Sequence, residues 1–395
     1  MSTLDTTART EPAHGAPRRS VGSAHWLTSA DAQRAADLAL PQDVRDFLEG
    51  GSGAEATLAA NQAAFEDLFL VPRVLADVSG TDTATTVFGA TAAMPVGIAP
   101  MAYQRLFHPD GELAAARAAE AAGIPYVAGV LSTYTLEEIT AVCSQAWLQL
   151  YWLRDRVLLT DLIDRAEAAG CKALVLTVDV PRMGRRLRDM RNAFVLPQDV
   201  VAANFPAAAT LSARRGAAGM SSVMVHTSEA FDPTLTWNDV AWLRGQTDLP
   251  LVLKGLLHPE DAARAAELGV DAVVVSNHGG RQLDGAVAGP NVLPAVRDAV
   301  EGRVEVLLDG GVRSGTDVLK ALALGASAVL VGRPVLWGLA ADGQRGVERL
   351  LSLLHTELED ALALSGCADV TRARGLDLLP RGASLSSSAR RGQRW

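Results

Sequence analysis

Short apolar runs recur along the chain, each followed by a stretch with helical punctuation. The runs are Met94–Ala99, Pro125–Val130, Ala146–Leu150, Ala173–Val178, Pro250–Lys254, Asp271–Ser276, Val304–Asp309 and Ser327–Val331. They are rich in Val, Leu, Ile and Ala and do not alternate with polar residues, the pattern of strands covered on both faces. Between them, Pro259-Glu260-Asp261 puts proline in a first helical turn and acids at the positive end of the dipole, and Gly269 stops that helix. Ser314-Gly315-Thr316-Asp317 opens another, which Gly325 ends. Eight strand–helix units in strict alternation predict an α/β fold, a (β/α)8 TIM barrel over residues 26–375 that includes an N-terminal helical extension. Crossovers of this kind are right-handed, so the C-terminal ends of the strands share one face.

The interval between the fourth and fifth runs is more than twice any other. The excess falls on the face where barrel enzymes keep their chemistry, and residues 192–236, rich in Ala, Ser, Gly and Pro, read as a mobile lid loop. Residues 1–25 and 376–395 lack periodicity and read as disordered tails.

Composition narrows the class. With 49% hydrophobic and 21% charged residues over 395 positions, the chain has material for a large core. Its net charge of −9 argues against nucleic acid or an anionic membrane as a partner, since both reward a basic surface. Cys143, Cys171 and Cys367 are far apart and form no Cys-x-x-Cys pair, so neither a disulfide scaffold nor a thiolate zinc site is expected, and no metal is called for. No apolar stretch reaches the roughly 18 residues of a membrane helix, and His25, Asp31 and Arg34 interrupt any apolar region behind Arg18-Arg19. A cytoplasmic protein is expected.

Polar clusters stand where the strands end. Ser276-Asn277-His278-Gly279-Gly280-Arg281-Gln282-Leu283-Asp284-Gly285 follows the sixth run. Its glycines let the backbone pass close to a ligand, and His278 and Arg281 can offer one small acid a base and a carboxylate clamp. The competing reading is a polar turn whose histidine bonds backbone. At the end of the fourth run, Asp179 in Thr177-Val178-Asp179-Val180-Pro181-Arg182-Met183-Gly184-Arg185-Arg186 can accept from an imidazole N–H, and an arginine further out can fork a carboxylate. A surface loop with three arginines is the plain alternative.

Lys254, ending the fifth run, needs an anionic partner or a lowered pKa. It can serve as a Schiff-base lysine or neutralise charge on a reduced cofactor. Asp309-Gly310-Gly311-Val312-Arg313 and Gly332-Arg333 follow the seventh and eighth runs, where barrels often bind phosphate. Gln149 and Tyr151 end the third run, and Tyr103 follows the first; each aromatic can equally be packing.

Together these residues resemble the FMN-dependent α-hydroxy-acid oxidases and dehydrogenases, which include glycolate, lactate and mandelate oxidases. The resemblance runs from about Leu40 to Gly366 and rests on Ser276–Gly285, Thr177–Arg186, Asp309–Arg313, Gly332-Arg333 and Phe107-His108-Pro109-Asp110-Gly111-Glu112. The wording of Ala102–Pro109 and Gly184–Asn192 is most similar to the actinomycete 4-hydroxymandelate oxidases.

The resemblance implies His278 as catalytic base with Asp179 as its charge partner. It implies Arg281 and Arg186 on the substrate carboxylate and Tyr151 on its hydroxyl, with Tyr103 and Phe47 also around the substrate. FMN is implied against Ala99, Pro100, Met101, Gln149, Thr177, Lys254 and Ser276, with its ribityl phosphate held by Asp309, Gly310, Gly311, Arg313, Gly332 and Arg333. Two positions depart from the family. Phe47 stands where glycolate oxidase has a tyrosine, which points towards aromatic substrates, and Gly129 replaces a serine near the flavin.

The expected reaction is oxidation of an (S)-2-hydroxy acid, mandelate or 4-hydroxymandelate, to the 2-oxo acid, with O2 as acceptor giving H2O2. An aliphatic acid such as lactate is the alternative substrate. A barrel isomerase or lyase using Lys254 is a more distant reading, and a catalytically dead binding protein another. A homotetramer is implied by the resemblance alone.

Overall fold

The computed structural model describes residues 23–206, 210 and 220–384. Three helices, α1 (Ser29–Ala39), α2 (Gln42–Glu49) and α3 (Ala56–Glu66), precede strand β1 (Leu68–Val71) and the hairpin β2 (Thr85–Val87) and β3 (Ala90–Ala92). The barrel strands follow: β4 (Val96–Ile98), β5 (Tyr126–Gly129), β6 (Ala146–Leu150), β7 (Leu174–Thr177), β8 (Leu251–Leu256), β9 (Ala272–Val275), β10 (Glu305–Asp309) and β11 (Ala328–Val331). They pair in parallel in sequence order, and β11 closes on β4. Each coincides with one of the eight apolar runs.

The connecting helices are α4 (Gly111–Ala121), α5 (Leu136–Thr140), α6 (Arg156–Ala168), α7 (Leu187–Arg191), α8 (Ser222–Ala230), α9 (Trp237–Arg244), α10 (Pro259–Glu267), α11 (Gly289–Val300) and α12 (Gly315–Leu324). The last, α13 (Arg333–Leu364), is broken at Asp342–Gly343. Among the described residues no helix is long and apolar enough to cross a membrane.

Alternate residues of each barrel strand serve two cores. Val127, Trp147, Val175, Val252, Val274, Leu307 and Leu330 fill the interior, while Leu148, Leu174, Leu176, Val273 and Leu308 pack outward. This double burial is why the runs lack alternation. The signals read for α10 and α12 hold: Pro259 lies in the first turn of α10, and Ser314 caps α12 with Asp317 in a reciprocal capping box.

The ends and the long interval are more structured than their composition implies. Asp377–Pro380 form β12, antiparallel to β1, because Leu378 and Leu379 find half-buried places there, so the stretch 377–380 is strand where a disordered tail from 376 was expected. Ser23 bonds Asp342 through its hydroxyl at 2.7 Å, which ties residue 23 to α13. The expected tails at residues 1–22 and 385–395 lie outside the described residues. Within 192–236, Ser222–Ala230 are helical, and Phe194, Leu196, Val200, Phe205 and Val223 are buried. Spaced apolar residues thus anchor a segment that reads as loop from its small and polar content. Residues 207–209 and 211–219 of that interval are outside the description.

Candidate active site

A cleft opens at the C-terminal mouth of the barrel, and His278 lines it. The imidazole Nδ1 lies 3.0 Å from Asp179 Oδ1. Burial alone would push Asp179 up, but His278 and Lys254 beside it hold it below the usual carboxylate range, so it is ionised and accepts. The proton on His278 therefore resides on Nδ1, leaving the Nε2 lone pair free to accept a proton. Burial pushes His278 below its ordinary value, only partly offset by Asp179, which keeps the free imidazole neutral near pH 7.

His278 has φ +60°, a strained backbone for a non-glycine residue. Ser276 Oγ accepts from its N–H at 3.0 Å, and Asn277 Oδ1 accepts from Gly280 N–H at 3.0 Å. Asn277 is itself locked in a reciprocal amide pair with Asn61 of α3.

Asp179 depends on a glycine. At Gly255, φ is +112°, and a Cβ would lie 2.6 Å from Asp179 Cβ and Cγ. Gly255→Ala is expected to displace Asp179 and to lower kcat by on the order of tenfold to a hundredfold, because small misplacements of a catalytic group cost that much. Stopped-flow flavin reduction checks it; a wild-type rate would show that Asp179 tolerates the shift.

Beneath the histidine, Lys254 Nζ lies 2.7 Å from Asp309 Oδ2 and 3.1 Å from Ser276 Oγ. Burial disfavours its charge, but Asp309 and Asp179 outweigh that and raise its pKa. A protonated amine is no nucleophile, which counts against the Schiff-base alternative.

Thr177, Ala99, Pro100, Met101, Gly310, Gly311, Gly332 and Arg333 line the same cleft. Gln149 and Ser276 do not. Gln149 is buried, donating to Thr177 Oγ1 at 2.9 Å and the Leu150 carbonyl at 2.8 Å. Asp309 Oδ1 and Arg313 Nε are buried without hydrogen-bond partners among the described residues, and both side chains belong to the cleft. An unfilled acceptor and an unfilled guanidinium donor in one cleft, with positive-φ Gly310 and Gly311 between them in the chain, match a polyol phosphate. The buried cation paired with Asp309 suits a ring that gains negative charge. The residues present therefore fit FMN.

The third cluster is basic. Arg281 Nη1 donates to the carbonyls of Phe47 at 2.9 Å and Gly50 at 2.6 Å, and Arg333 Nε to that of Leu48 at 3.1 Å. The negative C-terminal end of α2 thus anchors both arginines. Arg186 Nε is buried without a partner among the described residues. Burial and the neighbouring Arg281 push Arg186 down to about 9. Such a pair of guanidiniums calls for an anion between them.

Around it stand apolar surfaces. Phe47 stacks on Phe194 with centroids 4.7 Å apart, and Tyr151 on Phe231 at 4.2 Å. Leu131, Met183, Val223 and Thr227 complete the wall. Burial raises the Tyr151 phenol to about 12, so it is protonated and able to donate. Tyr103 differs from expectation. Its left-handed backbone turns the ring inward, where it is fully buried, outside the cleft lining.

Sequence reasoning missed Asn61, the α2 carbonyls and Gln282 as supports. Gln282 Nε2 donates to the Asp179 carbonyl at 2.9 Å, and its Oε1 accepts from Gly184 N–H at 3.1 Å, joining the loops that follow β7 and β9. Only Gln282, inside the densest polar cluster, carried a local signal.

A model of the FMN-dependent dehydrogenase family matches residues 36–377. The chain is 57% identical to 4-hydroxymandelate oxidase of Amycolatopsis orientalis over 352 residues, covering 89% of this chain and 98% of the relative. It is 51% identical to L-lactate oxidase of a Nostoc species over 336 residues, covering 84% and 92%. A crystal structure of mandelate oxidase with (S)-4-hydroxymandelic acid superposes with a TM-score of 0.88 at 56% identity, covering 90% of this chain and 99% of that one. The chain belongs to the FMN-dependent dehydrogenase family.

Proposed function

We propose that this FMN-dependent hydroxy-acid oxidase takes an aromatic (S)-2-hydroxy acid of the mandelate or 4-hydroxymandelate type to its 2-oxo acid, passing the electrons to O2 to give H2O2. The observation that carries the reading is the junction of a neutral, Asp179-oriented His278 with Arg186 and Arg281 beneath an apolar wall. The Phe47, Leu131, Val223 and Phe231 surfaces, together with the 4-hydroxymandelate and mandelate oxidase relatives, support an aromatic side chain.

Arg281 and Arg186 fork the substrate carboxylate, and the Tyr151 hydroxyl orients the substrate oxygen. His278 Nε2 takes one proton from the substrate as its alcohol carbon becomes a ketone carbon, and Asp179 stabilises the imidazolium that results. FMN, when bound, supplies the two-electron acceptor chemistry. Thr177, Lys254, Asp309, Gly310, Gly311, Arg313, Gly332, Arg333 and the Ala99–Met101 backbone would hold it, with Gln149 and Ser276 as supports one layer behind. The protonated Lys254 would offset negative charge on that group. A cytoplasmic homotetramer is part of the proposal on family resemblance.

Anaerobic flavin bleaching with a panel of acids tests the substrate. (S)-Mandelate and (S)-4-hydroxymandelate are expected to bleach at least tenfold faster than (S)-lactate, the (R) forms not at all, and admitted air to yield peroxide. Bleaching by lactate but not mandelate reverses the choice in favour of an aliphatic acid.

A further inference from the structure

Trp337 stands four residues after Arg333 on α13, so the two share a helix face, and it is 1% exposed. It does not line the cleft. Its indole Nε1 donates to Oε1 of Glu49, the last residue of α2, at 2.5 Å. The face of the same indole carries Arg313, whose Cζ lies 5.1 Å from the ring centroid. A guanidinium within about 6 Å of an indole face is attracted by the π charge of the ring, most strongly where both are out of water. The Glu49 carboxylate, accepting from the indole N–H, polarises the ring in the direction that strengthens this attraction.

The rest of Arg313 is fixed as well. Its N–H donates to Asp317 Oδ2 at 3.0 Å, its carbonyl accepts from Ser29 Oγ at 2.6 Å, and its Nη1 donates to the Val312 carbonyl at 2.8 Å. Its Nε, buried without a partner among the described residues, is left for a ligand. On either side of Glu49, the carbonyls of Leu48 and Gly50 accept from Arg333 at 3.1 and 3.2 Å. The end of α2 thus reaches both arginines, Arg333 directly and Arg313 through Glu49 and Trp337.

We propose that Trp337 is a positioning residue of the cofactor's phosphate site, a platform oriented by Glu49 that seats the Arg313 guanidinium before the anion arrives. The inference rests on the reading of Arg313 as a phosphate residue. Trp337 acts through that arginine. A long side chain already held in its bound geometry loses less freedom on binding, so the anion is held more tightly. The consequence is selective. The platform favours FMN over riboflavin, which has the same ring and ribityl chain but no phosphate, whereas a tryptophan that only filled the core would support both alike.

The test uses the full chain, stripped of flavin and titrated with FMN and with riboflavin while flavin fluorescence is followed. For Trp337→Leu, FMN is expected to bind on the order of tenfold more weakly, the effect of losing one buried cation–π contact, with riboflavin affinity moving less than about twofold. Trp337→Phe keeps a ring face of weaker π charge and is expected to fall between, with FMN about threefold weaker than wild type. Equal losses for the two flavins, an unchanged FMN affinity in Trp337→Leu, or Trp337→Phe as weak as Trp337→Leu overturns the assignment. Should Trp337→Leu not fold, Trp337→Phe decides: a loss confined to FMN supports the proposal, and any other pattern overturns it. Arg313→Met separates the two layers of argument. If it leaves the preference for FMN over riboflavin intact, the phosphate reading fails and the role of Trp337 with it. If it removes that preference while Trp337→Leu does not reduce it, only the role of Trp337 fails.

Discussion

His278→Ala is expected to leave FMN bound and to slow its reduction by substrate by on the order of 10⁴-fold, the upper range for losing a positioned general base. The cofactor should stay because the residues that fit it belong mainly to other strand ends: Lys254 on β8, Asp309 on β10, and the glycines and arginines after β10 and β11. The rate should collapse because no other neutral base stands at that position. Asp179 is ionised but sits behind the imidazole, and Lys254 carries its proton. Single-turnover reduction followed by absorbance measures this directly, and near wild-type reduction would remove His278 from the role. The same assignment fixes a pH dependence. Burial places the His278 pKa below its ordinary 6.5, so kcat/KM should be level at neutral pH and fall as the pH drops through that lowered value. An acid limb centred above 6.5 would contradict a buried, neutral base.

The eight strands were legible because burial on both faces forces continuous apolar runs, and the groups gathered in the cleft because each stands within a few residues of a strand end. His278, Asp179, Lys254 and Asp309 required only that the strands close in order. What could not be read depends on the N-terminal helices docking across the barrel mouth. Asn61 clamps the His278 loop from more than two hundred residues away, and the α2 carbonyls hold Arg281 and Arg333. Neither contact leaves a periodic or compositional trace. Helix α8 and strand β12 escaped for another reason. Their apolar residues are few, and it is tertiary burial of Val223 and pairing with β1 that make them structure. Tyr103 shows the converse, since a polar tip beside a strand end reads as a site residue until a left-handed turn buries it.

Lys254→Met carries the second large effect, and it falls on the cofactor. Lys254 and Asp309 form an ion pair with both side chains nearly buried, at 5% and 9% exposure. Removing one member leaves the other charged and uncompensated, at a cost of about 3–5 kcal/mol. That cost is felt where Asp309 is to accept from the cofactor. The variant is expected to bind FMN on the order of a hundredfold more weakly, and to be isolated largely colourless. With FMN in excess, reduction by substrate should still be slowed by on the order of 10²–10³, the usual effect of removing one electrostatic stabiliser. Flavin fluorescence titration gives the first quantity and anaerobic stopped flow the second. The double variant Lys254→Met, Asp309→Asn separates the two causes. If the affinity loss comes from an orphaned carboxylate, the neutral amide restores part of it while the slow reduction persists, because no cation has returned beside the ring. Recovery of both together would mean that Lys254 acts only by holding Asp309, and unchanged FMN affinity in the single variant would mean that the pair contributes nothing to the cofactor site.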